Sequence, residues 1–254
     1  MSKNNNTDTI KKVIKLKLFV TDYDNTLYID EESMKLNIQK LNELKEKDYI
    51  IVISTGRSIP SIKEKILEYN IPFDYINCAD GSILYDKNYH LIKSFELKKE
   101  IINEIINFKN NISYEEMQIS YIDGYSNLLD LSKEISGINI VIHNNNITNK
   151  TKTLFNNLKE KYPDYNYLVY NHIPYSYFCI KQQGVSKAKG ITFLKEYLNI
   201  QNNDIYVIGD SENDIEMLKE YNGVCVNNSY NEVLKLCKKH YKNVSDYINE
   251  LLNN

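Results

Sequence analysis

The sequence has no tryptophan, and only 8 glycines and 4 prolines occur among its 254 residues. It contains no apolar run of about 18 residues that would indicate a transmembrane helix. Its polar N-terminal segment lacks the apolar stretch of a signal peptide. The net charge of −3 leaves the chain without the basic excess that is typical of proteins binding nucleic acid nonspecifically. These absences exclude a membrane bundle and argue against nucleic-acid and membrane partners.

Cysteine is also scarce. The four cysteines, Cys78, Cys179, Cys225 and Cys237, show no C-x-x-C spacing, and each lies in or beside an apolar stretch. We therefore expect buried free thiols in a reduced, cytoplasmic protein. Hydrophobic residues make up 42% and charged residues 26% of the chain, which is typical of a globular protein.

The order of apolar segments predicts the fold class. Short apolar runs at residues 13–20, 49–53, 75–78 and 205–208 read as buried strands, and segments with helical spacing lie between them. Strands that alternate with helices predict an α/β fold with a Rossmann-like, doubly wound parallel sheet. The regular alternation of strands and helices is interrupted for about 100 residues in the middle of the chain. An Ile-rich helix, a hairpin and further strands in this stretch indicate an inserted α+β domain.

Polar residues follow several of the predicted strands at the point where each strand ends. These residues are Asp22, Asp24, Thr55, Asp210 and Asp214. In open α/β sheets the carboxyl ends of the strands form the ligand site, so these side chains are expected to converge. Several carboxylates at one point favour Mg²⁺, which prefers oxygen ligands and is often shared with a substrate phosphate.

The same loops carry groups suited to a phosphate. Thr55 and Gly56 lie between a strand and a helix, and Lys187 opens another helix, so a hydroxyl, backbone amides and an ammonium group are available. A carboxylate that attacks phosphorus splits hydrolysis into two displacements, and a second acid serves as general acid and base. Asp22 and Asp24 fit these two roles.

Four motifs in order resemble the haloacid dehalogenase superfamily. They are DYDNT at residues 22–26, STGR at 54–57, GVSKAKG at 184–190 and GDSENDIEML at 209–218. The second and fourth motifs are similar in form to those of the Cof-type subclass IIB phosphatases, which depend on Mg²⁺. The resemblance implies that Asp22 is the nucleophile and that Asp24 is the general acid and base and also binds Mg²⁺ through its backbone carbonyl.

The resemblance also implies the remaining roles. Thr55 and Lys187 hold the phosphate, Asp210 is a metal ligand, and Asn213 and Asp214 complete the metal and phosphate shell. Gly56 belongs to the phosphate loop, and Thr26 stabilises the turn of the first motif. The implied activity is that of a phosphoric monoester hydrolase acting on a small phosphorylated metabolite, such as a sugar phosphate or a cofactor phosphate.

Spacing locates the inserted domain, which acts as a cap in related proteins. Thr55 and Lys187 are far apart, whereas one further helix and strand of the core need only about 30 residues. We therefore predict a core formed by residues 1–82 and 183–254 and a cap formed by residues 83–182. The cap is expected to choose the substrate by closing over the site.

Three positions depart from the family pattern. Asn25 replaces the usual glycine of the first motif, and it can adopt a left-handed backbone. Asp80-Gly81 stands where relatives often have Asn-Gly after the third strand, and Asn227-Asn228-Ser229 stands where they often have Gly-Asn-Ala. The chain after Val226 reads as a shortened, Lys-rich helical segment.

Other functions remain open at this point. A phosphomutase or phosphotransferase uses the same core, and a protein that binds phosphate without catalysis is a further alternative. A signalling receiver also combines acids, Thr and Lys, but the inserted domain and the acceptor after the first strand argue against it. We expect a monomer or a small homo-oligomer.

Several side chains allow two interpretations. For Arg57 the two interpretations are that it binds the substrate and that it forms an ion pair with an acid of the core. Tyr125, Tyr175 and Tyr177 line a pocket or belong to half-buried strands. The histidines show no metal-ligand spacing, and His172 in the cap is the one to test.

Overall fold

The computed structural model describes residues 16–171 and 173–253. Residues 13–15 of the first predicted strand and His172 lie outside the described residues. In chain order the strands are β1 (Lys17–Thr21), β2 (Tyr49–Ser54), β3 (Tyr75–Cys78), β4 (Ile83–Asp86), β5 (Leu91–Ser94), β6 (Glu116–Tyr121), β7 (Gly124–Ser126), β8 (Ile135–His143), β9 (Tyr165–Asn171), β10 (Tyr175–Gln182), β11 (Ile205–Gly209), β12 (Val224–Val226) and β13 (His240–Tyr241). The helices are α1 (Glu31–Lys45), α2 (Ile59–Tyr69), α3 (Lys99–Asn110), α4 (Asn149–Lys161), α5 (Lys187–Tyr197), α6 (Ile215–Glu220), α7 (Asn231–Leu236) and α8 (Val244–Asn253).

Eight strands form the first sheet, in the order β13-β12-β11-β1-β2-β3-β4-β5. The strands from β13 to β3 run parallel, and β4 and β5 add an antiparallel edge. Parallel neighbours bring the carboxyl ends of β1, β2, β3 and β11 to one edge of the sheet. The predicted α/β fold with a parallel core sheet is confirmed.

Both faces of this sheet are buried, as expected for a parallel sheet. Along β1, Phe19 belongs to one apolar cluster, whereas Leu18 and Val20 belong to another on the opposite face. Helices α1, α2 and α8 contribute to the first cluster, and α5, α6 and α7 contribute to the second. The apolar residues of β1 therefore hold its carboxyl end in place by packing on both sides.

The second sheet has five antiparallel strands in the order β7-β6-β8-β10-β9. Helices α3 and α4 cover one face of it, and side chains such as Ile105, Ile140, Phe155 and Phe178 fill the core between them. Alternation along β10 places Lys181 on the opposite face from Phe178 and Ile180. The strands of this sheet lie between Glu116 and Gln182.

The division into domains 1–82 with 183–254 and 83–182 stays a prediction. However, β4 and β5 pair in the first sheet, although the prediction places residues 83–94 in the cap. The short turn at Ala79–Gly81 lets the chain reverse from β3 into β4. The first sheet therefore continues about ten residues beyond the predicted boundary.

Two further expectations have clear outcomes. All four cysteines are buried free thiols, as predicted. The segment after Val226, predicted as a Lys-rich helical segment, forms α7 and α8 with the short strand β13 between them. Within residues 16–171 and 173–253, no helix has the length and apolar character needed to cross a membrane.

Candidate active site

Asp22 is the first residue after β1, and the sheet fixes its position. Its backbone N–H donates to the carbonyl of Ile208 over 3.0 Å, so the residue continues the pairing of β1 with β11. The residue is 4% exposed. Burial raises the pKa of Asp22 well above its usual range, and the charges of Asp214 and Asp210 act in the same direction against that of Lys187. The site thus contains a carboxyl group that needs a nearby cation to ionise.

The turn after Asp22 brings the first motif back onto the sheet edge. Asn25 has a φ of 59°, which confirms that it accepts the left-handed backbone expected there. The hydroxyl of Thr26, fully buried, donates to Oδ1 of Asp210 over 3.0 Å. Thr26 therefore does more than support its own turn, because it also orients an acid of the fourth motif.

Three carboxylates converge at this edge. One oxygen from each of Asp22, Asp210 and Asp214 lies within 4.8 Å of the others, and all three residues are buried. The backbone N–H groups of Asp210 and Ser211 donate to Oδ2 of Asp214 over 3.0 and 3.1 Å, which fixes this carboxylate. Burial and the charge of Asp214 raise the pKa of Asp210 to about 6.

Lys187 supplies the positive charge beside this cluster. Its Nζ donates to Oδ1 of Asp22 over 2.6 Å and to Oδ1 of Asp214 over 2.7 Å, and the side chain is 1% exposed. Burial alone would lower the pKa of Lys187, but the charges of Asp214, Asp22 and Asp80 outweigh it and raise that pKa above its usual range. The amine therefore stays an ammonium ion inside the protein.

The loop after β2 forms the second side of the site. The N–H of Thr55 donates to the carbonyl of Asn77 over 2.8 Å, and the Thr55 hydroxyl accepts from the N–H of Arg57 over 3.1 Å. Gly56 has room for no side chain, because a Cβ there would lie 2.9 Å from Oδ1 of Asp80. These contacts fix the predicted phosphate loop against β3 and the turn that follows β3.

Asp24 lies apart from the three clustered carboxylates. Its oxygens accept two hydrogen bonds from Arg57, from Nε over 2.8 Å and from Nη2 over 2.7 Å. The Asp24 side chain is 49% exposed, so it stands at the mouth of the site rather than in its floor. The structure thus places Arg57 against an acid and also on the wall of the cavity described below.

Asp80 and Lys181 belong to the site as well, although the sequence motifs do not predict them. Oδ1 of Asp80 accepts from Nδ2 of Asn213 over 2.9 Å, and Oδ2 accepts from Nζ of Lys181 over 2.7 Å. Burial alone would raise the pKa of Asp80, but the charges of Lys181 and Lys187 outweigh it and lower that pKa to about 2. The departure at Asp80-Gly81 was the one signal in the sequence, and Lys181 had none.

A cavity of about 540 Å³ lies above the carboxylates. Its walls come from the loops of the first sheet and from β9 of the second. The lining residues are Asp22, Asp24, Asn25, Gly56, Arg57, Asp80, Val169, Tyr170, Asn171, Asp210, Ser211, Glu212, Asn213 and Tyr230. Tyr125, Tyr175 and Tyr177 do not line it, and Tyr170 and Tyr230 are its aromatic residues. The second sheet therefore contributes directly to the wall of the cavity.

The donor set suits a small, hard cation. Three clustered carboxylates offer oxygen ligands, and one ammonium group offsets only part of their charge. Mg²⁺ prefers such ligands. The predicted metal residues Asp22, Asp210 and Asp214 are thus brought together, whereas the side chain of Asp24 is turned toward Arg57.

Comparison with known proteins places this arrangement in a family. The family model of haloacid dehalogenase-like hydrolases matches residues 19–134 and 109–248. The chain is 25% identical over 244 residues to 5-amino-6-(5-phospho-D-ribitylamino)uracil phosphatase of Bacillus subtilis, covering 93% of this chain and 91% of that one. It is 28% identical over 209 residues to phosphoglycolate phosphatase 2 of Saccharolobus solfataricus, covering 80% of this chain and 75% of that one.

Solved structures share the fold. A protein described as a HAD/COF-like hydrolase from Plasmodium vivax superposes with a TM-score of 0.72 at 21% identity, covering 95% of this chain and 97% of that one. A haloacid dehalogenase-like hydrolase from Bacteroides thetaiotaomicron superposes with a TM-score of 0.73 at 18% identity, covering 93% of this chain and 100% of that one. The likeness extends over both sheets.

Proposed function

The chain belongs to the haloacid dehalogenase-like hydrolases of Cof type and is a phosphatase, and we propose that it hydrolyses a small phosphorylated metabolite in a Mg²⁺-dependent reaction. The observation that carries the proposal is the contact of Lys187 with both Asp22 and Asp214 at the floor of an open cavity. A buried nucleophile, a fixed cation and a polar cavity are what phosphoryl transfer to a carboxylate needs.

The proposed metal site uses the side chains of Asp22, Asp210 and Asp214, with the backbone carbonyl of Asp24 as the further ligand implied by the family. When bound there, Mg²⁺ would offset the negative charge of the carboxylates and of the substrate phosphate. Thr26 keeps Asp210 oriented, and the amides of Asp210 and Ser211 keep Asp214 oriented. The chain therefore holds its acids in place by contacts of its own.

Asp22 is the proposed nucleophile. A carboxylate oxygen forms a bond to phosphorus while the bond from phosphorus to the substrate oxygen breaks, which leaves an aspartyl-phosphate and an alcohol. Water then attacks phosphorus and breaks the bond to Asp22, which releases inorganic phosphate and restores the carboxylate. The pairing of Asp22 with β11 and with Lys187 fixes the direction of its carboxylate for this attack.

Asp24 is the proposed general acid and base. It gives a proton to the leaving oxygen in the first step and takes a proton from water in the second. Because Arg57 holds both of its oxygens, Arg57 must release at least one of them before Asp24 reaches the reacting groups. The exposed position of Asp24 at the mouth of the cavity leaves room for this movement.

The proposed phosphate site combines Thr55, Gly56, Lys187 and Asn213. Thr55 and Gly56 offer a hydroxyl and a backbone N–H, and Lys187 and Asn213 offer side-chain donors. Gly56 and Asn213 line the cavity directly, whereas Thr55 and Lys187 are buried beneath it. These donors come from two loops and one helix, so the first sheet brings them to a common point.

The cavity supports a small substrate with polar groups. A volume of about 540 Å³ is within the usual range of pockets for small molecules. Tyr170 and Tyr230 offer aromatic faces, while Asn171 and Glu212 offer hydrogen-bonding groups. A sugar phosphate or a cofactor phosphate fits this mixture. The buried free thiols support the proposed cytoplasmic location.

The test is phosphate release. Purified protein is incubated with phosphorylated sugars, nucleotides and cofactors, with Mg²⁺ or with EDTA, beside the variants Asp22→Asn and Asp123→Asn. Asp123 is an exposed partner of Lys133 away from the carboxylate cluster, which makes it the matched control. We expect Mg²⁺-dependent release by the wild type and by Asp123→Asn alone.

Two outcomes would overturn the proposal. Transfer of phosphate to a second hydroxyl without release would favour a phosphomutase. Binding of phosphate esters without turnover of any of them would favour a binding protein.

A further inference from the structure

We propose that Lys181 is a positioning residue of the phosphate site, contributed by the second sheet. It neutralises Asp80, so that Asp80 holds Asn213 toward the phosphate without repelling it. The inference rests on the proposed function, because it concerns the binding of the substrate phosphate. The ion pair between Lys181 and Asp80, which lie 101 positions apart in the sequence, thereby serves phosphate binding.

Lys181 reaches the first sheet from β10. Its side chain points away from the face that α3 and α4 cover, and the residue is 6% exposed. Nζ donates to Oδ2 of Asp80 over 2.7 Å and to the carbonyl of Ala79 over 3.2 Å. A buried lysine with two partners on one short turn is fixed in position far better than a surface lysine.

The turn that receives Lys181 has an unusual backbone. Ala79, Asp80 and Gly81 all have a positive φ, of 49°, 53° and 93°. For residues other than glycine this conformation is costly, and it persists where surrounding contacts enforce it. The N–H groups of Ala79 and Asp80 donate to the carbonyls of Arg57 and Thr55, each over 3.0 Å. The turn is therefore held by the phosphate loop on one side and by Lys181 on the other.

Asp80 in turn orients Asn213. Its Oδ1 accepts from Nδ2 of Asn213 over 2.9 Å, while Oδ1 of Asn213 accepts from the Ser211 hydroxyl over 2.6 Å. The amide plane is thus fixed at both ends. An amide nitrogen carries two hydrogens, so Nδ2 has a second one to donate to a ligand in the cavity that Asn213 lines.

The charge of Asp80 makes Lys181 necessary. Asp80 lines the cavity, and its Oδ1 would lie 2.9 Å from a Cβ placed on Gly56, so a carboxylate stands directly beside the phosphate loop. A phosphate bound at this loop would therefore face a second negative charge, and like charges repel each other. Lys181 cancels that charge from the side of the second sheet, since it is not among the residues that line the cavity.

The experiment is a double-mutant cycle on the full-length protein. Lys181→Met leaves Asp80 without its counter-charge, whereas Lys181→Met with Asp80→Asn removes both charges. For Lys181→Met we expect the KM, and the inhibition constant of inorganic phosphate, to rise about tenfold or more with kcat changed by less than about threefold. For the double variant we expect both constants within about threefold of wild type, and Lys181→Arg should resemble wild type.

A merely structural role gives a different pattern. Lys181→Met would then lower the unfolding temperature, because it leaves a buried carboxylate unpaired, while the KM and the inhibition constant of phosphate stayed within about threefold of wild type. Lys133→Met is the matched control, because Lys133 pairs with Asp123 in an exposed ion pair of the same part of the chain. Unchanged phosphate affinity in Lys181→Met, or a double variant no better than the single one, would overturn the inference.

Two further measurements separate the possible failures. Absence of turnover by the wild type would contradict the proposed function, while calorimetric binding of inorganic phosphate in the presence of Mg²⁺ would still test Lys181. If Lys181→Met does not fold in a thermal melt, the double variant becomes the test. The inference then requires that the double variant folds and binds phosphate within about threefold of wild type.

Discussion

The ammonium group of Lys187 lies 2.6 Å from the carboxylate of Asp22, although 165 positions separate the two residues in the chain. Lys187 stands at the first turn of α5, where Ser186 caps the helix by accepting from the N–H of Lys189. Asp22 stands at the end of β1. The contact therefore depends on the packing of one helix against one strand, and it joins the two segments that flank the second sheet.

Replacing Asp22, the proposed nucleophile, should remove activity without harming the fold. We expect Asp22→Asn to lower kcat at least about a thousandfold, because the amide cannot form the aspartyl-phosphate. The unfolding temperature should not fall, since burial already disfavours the charged form of Asp22. Phosphate release and a thermal melt check both parts. Activity within about tenfold of wild type would refute the role.

Weakening a proposed metal ligand should change the dependence of the rate on Mg²⁺ concentration more than its dependence on substrate concentration. Asp210→Asn keeps an oxygen for Thr26 but loses a charge from the cluster. We expect the Mg²⁺ concentration for half-maximal rate to rise about tenfold or more, with the substrate KM changed far less. Asp123→Asn is the matched control. Superimposable Mg²⁺ titrations of Asp210→Asn and wild type would contradict the assignment.

Stability should depend on pH and Mg²⁺ together. The pKa of Asp210 is raised to about 6, above the value of about 3.9 in an unfolded chain, so its contribution is full below about pH 4 and is lost as pH rises through about 6. The raised pKa of Asp22 acts in the same direction. Without Mg²⁺ these groups therefore lower the unfolding temperature as pH rises from 4 to 7.

Mg²⁺ should reverse this loss only where the carboxylates are ionised. We expect saturating Mg²⁺ to raise the unfolding temperature by about 5 °C or more at pH 7.5 and by much less at pH 5. Thermal melts at both pH values, with and without Mg²⁺, check this difference. An equal rise at the two pH values would show that ionisation of the cluster does not control metal binding.

Tyr170 should select among substrates. It lines the cavity from β9, so Tyr170→Ala removes an aromatic face from the cavity wall. We expect the KM of the best metabolite to rise about tenfold, with a much smaller change for p-nitrophenyl phosphate. Tyr175→Ala is the control, because Tyr175 lies on the neighbouring strand outside the cavity. Equal effects of the two variants would exclude selection by Tyr170.

Even the smallest side chain at position 190 should lower the free energy of unfolding. A Cβ on Gly190 would lie 2.1 Å from Oδ1 of Asn77, a buried residue that donates to Ser54 and to the carbonyl of Lys187. We expect Gly190→Ala to cost about 2 kcal/mol despite the better helix propensity of alanine. Gly124→Ala, whose Cβ would make an ordinary 3.5 Å contact with Pro60, should cost about 0.5 kcal/mol or less. Denaturant unfolding compares the two, and equal losses would contradict the predicted clash.

The strands that end in the motifs were predictable from the sequence because their signals are local. The predicted strand at 75–78 coincides with β3, and those at 49–53 and 205–208 each fall one residue short of β2 and β11. Buried parallel strands are continuous apolar runs, and each of these stops abruptly at polar residues. The convergence of Asp22, Asp210 and Asp214 followed from the geometry of such a sheet.

The remaining features depend on pairing over long distances. Nothing near residues 83–94 distinguishes an antiparallel edge of the first sheet from the start of an inserted domain. Lys181 has no local signature either, since its role depends on its contact with Asp80, in the turn after β3 of the first sheet. Tyr170 lines the cavity, whereas Tyr125, Tyr175 and Tyr177 do not. This difference depends on which strand lies beside the cavity and on which face of that strand points inward. A register shift of one residue would reverse the face.

In the first sheet β1 lies between β2 and β11, and these two neighbours are synthesised at different times because they lie far apart in the chain. A ribosome releases the chain from its N-terminus, so Asp22 emerges long before Lys187, Asp210 and Asp214. Until β11 follows, one edge of β1 is unpaired, and Asp22, the proposed nucleophile, lacks Lys187, Asp210 and Asp214 beside it. The proposed site is therefore complete only after Asp214 has left the ribosome, and a chain that stops before residue 214 lacks one of the three clustered carboxylates.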